Sequence, residues 1–212
     1  MDLLKDLFAK LTDLEGLIRW GGLTALIIIV FSETGLMVGF FLPGDSLLVT
    51  AGLFAARGNL DIVWLNVSLM SAAILGDAVG FWTGAKAGQL LYRREDSRWF
   101  KKRHLLRAKA FYERHGGVTI VMARFIPIIR TFAPIVAGAA EMPYRRFVLF
   151  NICGGVGWVG SMTMLGYGLG KIYPPIVKQI HYLALVIIVV SFIPVWIEWR
   201  RAQAEAAAEK TE

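Results

Sequence analysis

Four ionisable side chains stand in oily surroundings: Glu33 and Asp45 in "SETGLMVGFFLPGDSLLVTAG", and Arg124 and Arg130 in "ARFIPIIRTFAPIVAG". A charge at the centre of a hydrocarbon layer costs ~2.5–3.5 kcal/mol or more, so such residues face a partner or a wet cavity and mark a functional site by default. Carboxylates there can take up and release protons. A planar guanidinium binds carboxylate or phosphate through paired hydrogen bonds, which an ammonium cannot do. Two acids from one segment and two arginines from another would balance charge where the segments meet. Plainer readings exist for three of the four: Asp45 follows Pro43–Gly44 and is placed to cap a new helix, and the two arginines can snorkel to the membrane surface. Glu33 has no capping role if it lies within a helix.

Asp77 in "GDAVGF" and Asn151 in "NICGGVGW" are secondary candidates. Asp77 falls near one end of an apolar stretch, where pairing with a neighbouring basic loop is the plain expectation. Gly154, Gly155, Gly157 and Gly160 around Trp158 read as close helix packing rather than a ligand site. Glu141 and Arg145, four apart, read as a surface pair. His104, His115 and His181 are scattered and Cys153 is the lone cysteine. No metal-ligand spacing is present, so neither a metal nor another cofactor is expected, and no nucleophile–base constellation is readable.

The elements that must hold these residues follow from composition. Of 212 residues, 56% are hydrophobic, and the mean hydropathy is +0.56; the chain reads as all-α and integral to a membrane. Apolar runs at 62–84, 146–169 and 181–199 approach the ~20 residues that cross a bilayer. A shorter run from about Leu17 to Phe31 would make a further span. No cleavable signal peptide is evident. Residues 1–19 alternate Asp, Lys, Glu and Arg with Leu and Phe at helical spacing, which suggests an amphipathic helix on the membrane surface.

Charge sets the orientation. The net charge is +7, but nine Lys/Arg crowd into residues 93–114, a basic loop (91–115) expected to be cytoplasmic and to face anionic lipid rather than nucleic acid. With the Arg200–Arg201 end and the 200–212 tail also inside, the segment 116–140 must enter and leave on one side. Pro127 and Pro134 favour breaks within it, so a re-entrant hairpin is expected. The same argument makes 32–57 a second hairpin, entering from the opposite face between the Leu17–Phe31 span and 62–84. Only Arg57, Lys171 and Lys178 then lie outside. Glu33 precedes Pro43 by ten residues, as Arg124 precedes Pro134, and Ala51–Gly52 and Ala137–Gly138 follow the prolines. Hairpin plus span thus occurs twice, in 17–90 and 116–170, an inverted repeat.

The motifs "FSETGLMVGFFLPGDSLLVTAG", "GDAVGFWTGAKAG", "FYERHGG", "ARFIPIIRTFAPIVAGAAEMPYRRF" and "NICGGVGW" resemble the DedA family of bacterial inner-membrane proteins, relatives of the VTT-domain lipid scramblases. The likeness runs from about Phe31 to Gly170. It implies two opposed re-entrant hairpins and translocation of a membrane lipid, undecaprenyl phosphate or phosphatidylethanolamine being the leading substrates, with dependence on the proton motive force. It places the family's acidic pair on Glu33 and Asp45 and its arginine pair on Arg124 and Arg130. The expected partners are therefore a lipid and protons, with self-association left open. The expected location is the bacterial inner membrane with both termini cytoplasmic. The alternatives are a proton-coupled ion or small-solute transporter and, less favoured, a lipid phosphatase.

Overall fold

The computed structural model describes residues 14–36, 44–92, 110, 112 and 117–172. Most of the surface helix expected at 1–19, the basic loop, the 181–199 span and the tail lie outside the described residues. Those described form helices and turns, with no strand. In chain order the helices are α1 (Leu14–Gly35), α2 (Gly44–Ala56), α3 (Ile62–Tyr92), α4 (Val118–Ala123), α5 (Pro127–Ala139) and α6 (Tyr144–Ile172).

Local chemistry explains several boundaries. Asp61 Oδ1 accepts from the backbone N–H groups of Val63 and Trp64, both at 2.9 Å, and so caps α3. Pro127 opens α5 at its first turn, where a residue without an N–H leaves nothing unpaired. Pro134 lies within α5 without ending it, so the break expected in 116–140 is concentrated at Arg124–Ile126, ahead of Pro127. In α1, Gly22 takes φ 51° and ψ −141° inside the helix. That left-handed φ suits glycine and bends the chain there. Beyond the bend α1 runs unbroken to Gly35, so the hairpin boundary placed at 32 falls inside a helix that carries Glu33 on its last turn.

Among the described residues, two helices, Ile62–Gln89 within α3 and α6, are long and apolar enough to cross a membrane. Among the shorter apolar helices, α2 and α5 have 13 residues each, about 20 Å at 1.5 Å per residue and less than the ~30 Å of a hydrocarbon core. Each short helix packs against the long helix of the other half. Gly52 of α2 abuts the backbone of Thr163 and Tyr167, while Gly166 of α6 abuts the Val49 carbonyl. In the same manner Gly138 of α5 abuts Phe81 and Ala85, and Gly84 of α3 abuts Ile135. The next contacts are Gly170 with Leu53 and Gly88 with Ala139, so both pairs run parallel and in step. A Cβ at any of Gly52, Gly84, Gly138 or Gly166 would collide with backbone, which is why small residues occupy these positions.

Two apolar clusters fill the interior. One joins α1, α2, α3 and α6 around Leu26, Leu48, Leu65, Leu69 and Trp158. The other gathers Phe81, Ile120, Ala137 and Phe147, with Phe81 and Phe147 stacked at 4.4 Å. Outward, α3 exposes Val63, Trp64, Leu75 and Trp82, and α6 exposes Leu149, Ile152, Met164 and Leu165. Apolar surface outside with carboxylates and guanidinium groups inside is what a lipid solvent selects.

Candidate functional site

The buried ionic groups fall into two clusters. In the first, Glu33 comes from the end of α1, Asp45 from the first turn of α2 and Arg130 from the first turn of α5. Arg130 Nη2 donates to Glu33 Oε1 at 2.5 Å and Nη1 to Asp45 Oδ1 at 2.6 Å. Trp158, wholly buried on α6, donates its indole N–H to the same Asp45 oxygen at 2.8 Å. Its ring also lies 4.7 Å from the Arg130 guanidinium carbon, a cation–π contact. The Glu33 carboxylate rests against the Cα of Gly44, and a side chain there would overlap it. Asp45 does lie in the first turn of α2, where a negative charge meets the favourable end of the helix dipole; it also spans to two other helices.

In the second cluster, Arg124 follows α4 and points between the two long helices. Its Nη2 donates to Asp77 Oδ2 of α3 and to Asn151 Oδ1 of α6. Asn151 in turn donates from Nδ2 to the Ile74 carbonyl at 3.0 Å. Gly154 and Gly155 make room for the arm: a Cβ at Gly154 would meet Arg124 Cδ, and one at Gly155 would meet Ile74. Further along, Thr163 donates to Asn66 Oδ1 at 2.7 Å and ties α6 to α3 once more.

The six residues singled out by sequence are therefore all buried, but in a division the sequence did not indicate. Arg130 meets both acids of the first segment, while Arg124 meets neither in these pairings and is held by Asp77 and Asn151. Asp77 is not a surface partner of the basic loop; it is 2% exposed and paired with Arg124. Trp158 was missed as a site residue, because a tryptophan between glycines in an apolar run reads as packing until its N–H is seen to face a carboxylate.

The electrostatics of the two clusters differ. The first holds two carboxylates and one guanidinium; the second holds one of each. Fully ionised, the first keeps one surplus negative charge, which a buried site tolerates poorly unless a proton or cation neutralises it. Among the described residues, the buried side-chain polar atoms without a hydrogen-bond partner are Glu33 Oε2, Arg124 Nε and Arg130 Nε. All three belong to these clusters. Also among the described residues, no group of three His, Cys, Asp or Glu side chains is arranged to hold a metal ion.

Charged groups buried between helices whose outer faces are apolar define a helical membrane protein with a polar interior. A VTT domain model matches residues 42–168, and the chain belongs to that family, the DedA family. It is 44% identical to Protein DedA of Escherichia coli (strain K12) over 187 residues, covering 86% of this chain and 85% of that one. It is 40% identical to an uncharacterized membrane protein of Mycobacterium leprae (strain TN) over 200 residues, 93% of this chain and 89% of the other. With Inner membrane protein YghB of Escherichia coli (strain K12) it shares 35% over 150 residues, 71% and 68% of the two chains. No solved structure matches the chain.

Proposed function

We propose that this protein carries a phosphate-bearing lipid across the bacterial inner membrane together with protons, with its termini on the cytoplasmic side. The observation that carries this reading is the first cluster: two buried carboxylates on the ends of one guanidinium whose Nε–H has no partner among the described residues. A headgroup phosphate competes for the same donors through paired charge-assisted hydrogen bonds. For it to bind, Glu33 or Asp45 must give up its place on Arg130, and a carboxylate deprived of its counter-charge in a dry site holds a proton instead. When the phosphate leaves, the carboxylate returns to Arg130 and the proton departs. Lipid and proton are thereby coupled through one shared cation. Undecaprenyl phosphate and phosphatidylethanolamine both present suitable headgroups.

The path requires a polar break at membrane depth. On this reading the short helices α2 and α5 are each one arm of a re-entrant hairpin, the two hairpins entering from opposite faces. Buried non-helical backbone is tolerated where protein or a wet cavity lines it. Cysteines placed at exposed Arg57 and Glu141, in a Cys153→Ser background, should react with impermeant reagents from opposite sides of the membrane. Labelling of both from one side overturns the opposed hairpins.

Transport is tested in liposomes containing the purified protein, following fluorescent undecaprenyl phosphate and phosphatidylethanolamine with and without a pH gradient. Glu33→Gln and Arg130→Lys should each abolish movement of unaltered lipid while the protein remains folded. Normal rates in both variants defeat the coupling. The surplus negative charge of the first cluster favours a second reading, a proton-coupled cation or small-solute transporter. Solute uptake without any lipid movement would select it. Release of free phosphate from a labelled lipid would point instead to a phosphatase.

A further inference from the structure

Arg124 is held differently from Arg130, yet it presents the same opening. Its Nη2 is committed to Asp77 and Asn151, while its Nε–H is buried without a partner among the described residues. One edge of a guanidinium, Nε–H with a neighbouring Nη–H, is the fork that takes two oxygens of a phosphate. Gly154 and Gly155 line the arm without side chains. Asp77 alone neutralises Arg124 within this cluster; Asn151 contributes an oxygen but no charge. Beyond the cluster, Arg130 and Glu33 lie within electrostatic reach of Asp77, so the two clusters share one polar interior.

We propose that Arg124 is a second station for a phosphate group, in series with Arg130, and that Asp77 is the carboxylate that closes it. This rests on the transport reading above and adds to it a third participating acid. While Asp77 stays on Arg124 the pair is neutral and attracts no anion. Once Asp77 is withdrawn or neutralised, a buried and uncompensated guanidinium remains, and an incoming phosphate restores neutrality. Asn151, anchored by the Ile74 carbonyl, keeps the guanidinium in place during the change of partner. An anion released from one arginine then finds a second within the protein rather than having to cross hydrocarbon in one step.

The test is anion binding to the full chain in detergent, with isotopically labelled inorganic phosphate in one arm and decyl phosphate in the other. Wild type is expected to bind an anion that Arg130→Gln removes. Asp77→Asn should bind a second one, at least ~10-fold tighter than any second site of the wild type, as one new charge-assisted pair implies. That second anion should survive Arg130→Gln and vanish in Asp77→Asn/Arg124→Gln. Where Asp77→Asn folds poorly, added phosphate should raise its melting temperature, and the neutral double variant should show no such rise. Binding of decyl phosphate alone assigns the station to a lipid headgroup; equal binding of both probes assigns it to free phosphate; either supports the station. If Asp77→Asn binds no more anion than wild type, or its extra anion persists without Arg124, the second station is refuted while transport through Arg130 stands. If Arg130→Gln leaves wild-type binding unchanged, the transport reading fails on its own account.

Discussion

The two arginine clusters use the same cation to opposite electrostatic ends. Arg130 is shared by Glu33 and Asp45 and is braced by the indole of Trp158. Arg124 has a single carboxylate and a neutral amide, the latter fastened to the backbone of α3. One cluster is over-supplied with negative charge and the other is balanced. Removing a carboxylate relieves the first and exposes a bare cation in the second, so the same chemical change should act in opposite directions.

That contrast gives the largest expected effect. Asp77→Asn leaves Arg124 buried without a counter-charge and should destabilise the protein by ~3–5 kcal/mol, whereas Glu33→Gln should be neutral or stabilising because Arg130 keeps Asp45. Thermal unfolding in detergent, in the absence of phosphate, measures both. Equal losses would mean that charge balance does not distinguish the clusters. Next in size, Gly44→Ala drives a methyl into the Glu33 carboxylate. It should cost about 1–3 kcal/mol by overpacking and impair lipid movement. The mutation should leave the anion-binding response to Asp77→Asn intact, which equilibrium binding can check.

Trp158→Phe sharpens the comparison by removing one hydrogen bond while keeping a ring over Arg130. Loss of a donor to a charged acceptor implies roughly 1.5–3 kcal/mol. Initial transport rates across a pH series should show a shifted profile, which a simple packing defect would not produce. The smallest effect is expected for Thr163→Val, which breaks the neutral bond to Asn66 and should lower stability by about 1 kcal/mol with transport rates unchanged.

What the sequence made legible was set by contrast with the surroundings. Glu33, Asp45, Arg124 and Arg130 announce themselves because charges in apolar runs are costly, and α3 and α6 because their length matches a bilayer. Which arginine meets which acid was not legible. Asp77 and Arg124 are 47 positions apart and Arg130 and Glu33 are 97 apart, so the partners depend on how the helices cross. Trp158 was hidden for the same reason, since only burial separates a carboxylate ligand from a packing aromatic. Pro134 shows the limit of local rules, because α5 continues through it although an isolated helix would be weakened there.

The glycine contacts that seat α2 on α6 and α5 on α3 carry a consequence for motion. Because each close-packed pair draws one member from either half of the chain, any rocking within the protein should divide it into mixed pairs rather than into the first and second halves. Glu33 and Asp77, with α1 and α3, would then travel with one body, and Asp45 and Trp158 with the other. Movement between two such bodies would pull Glu33 and Asp45 apart.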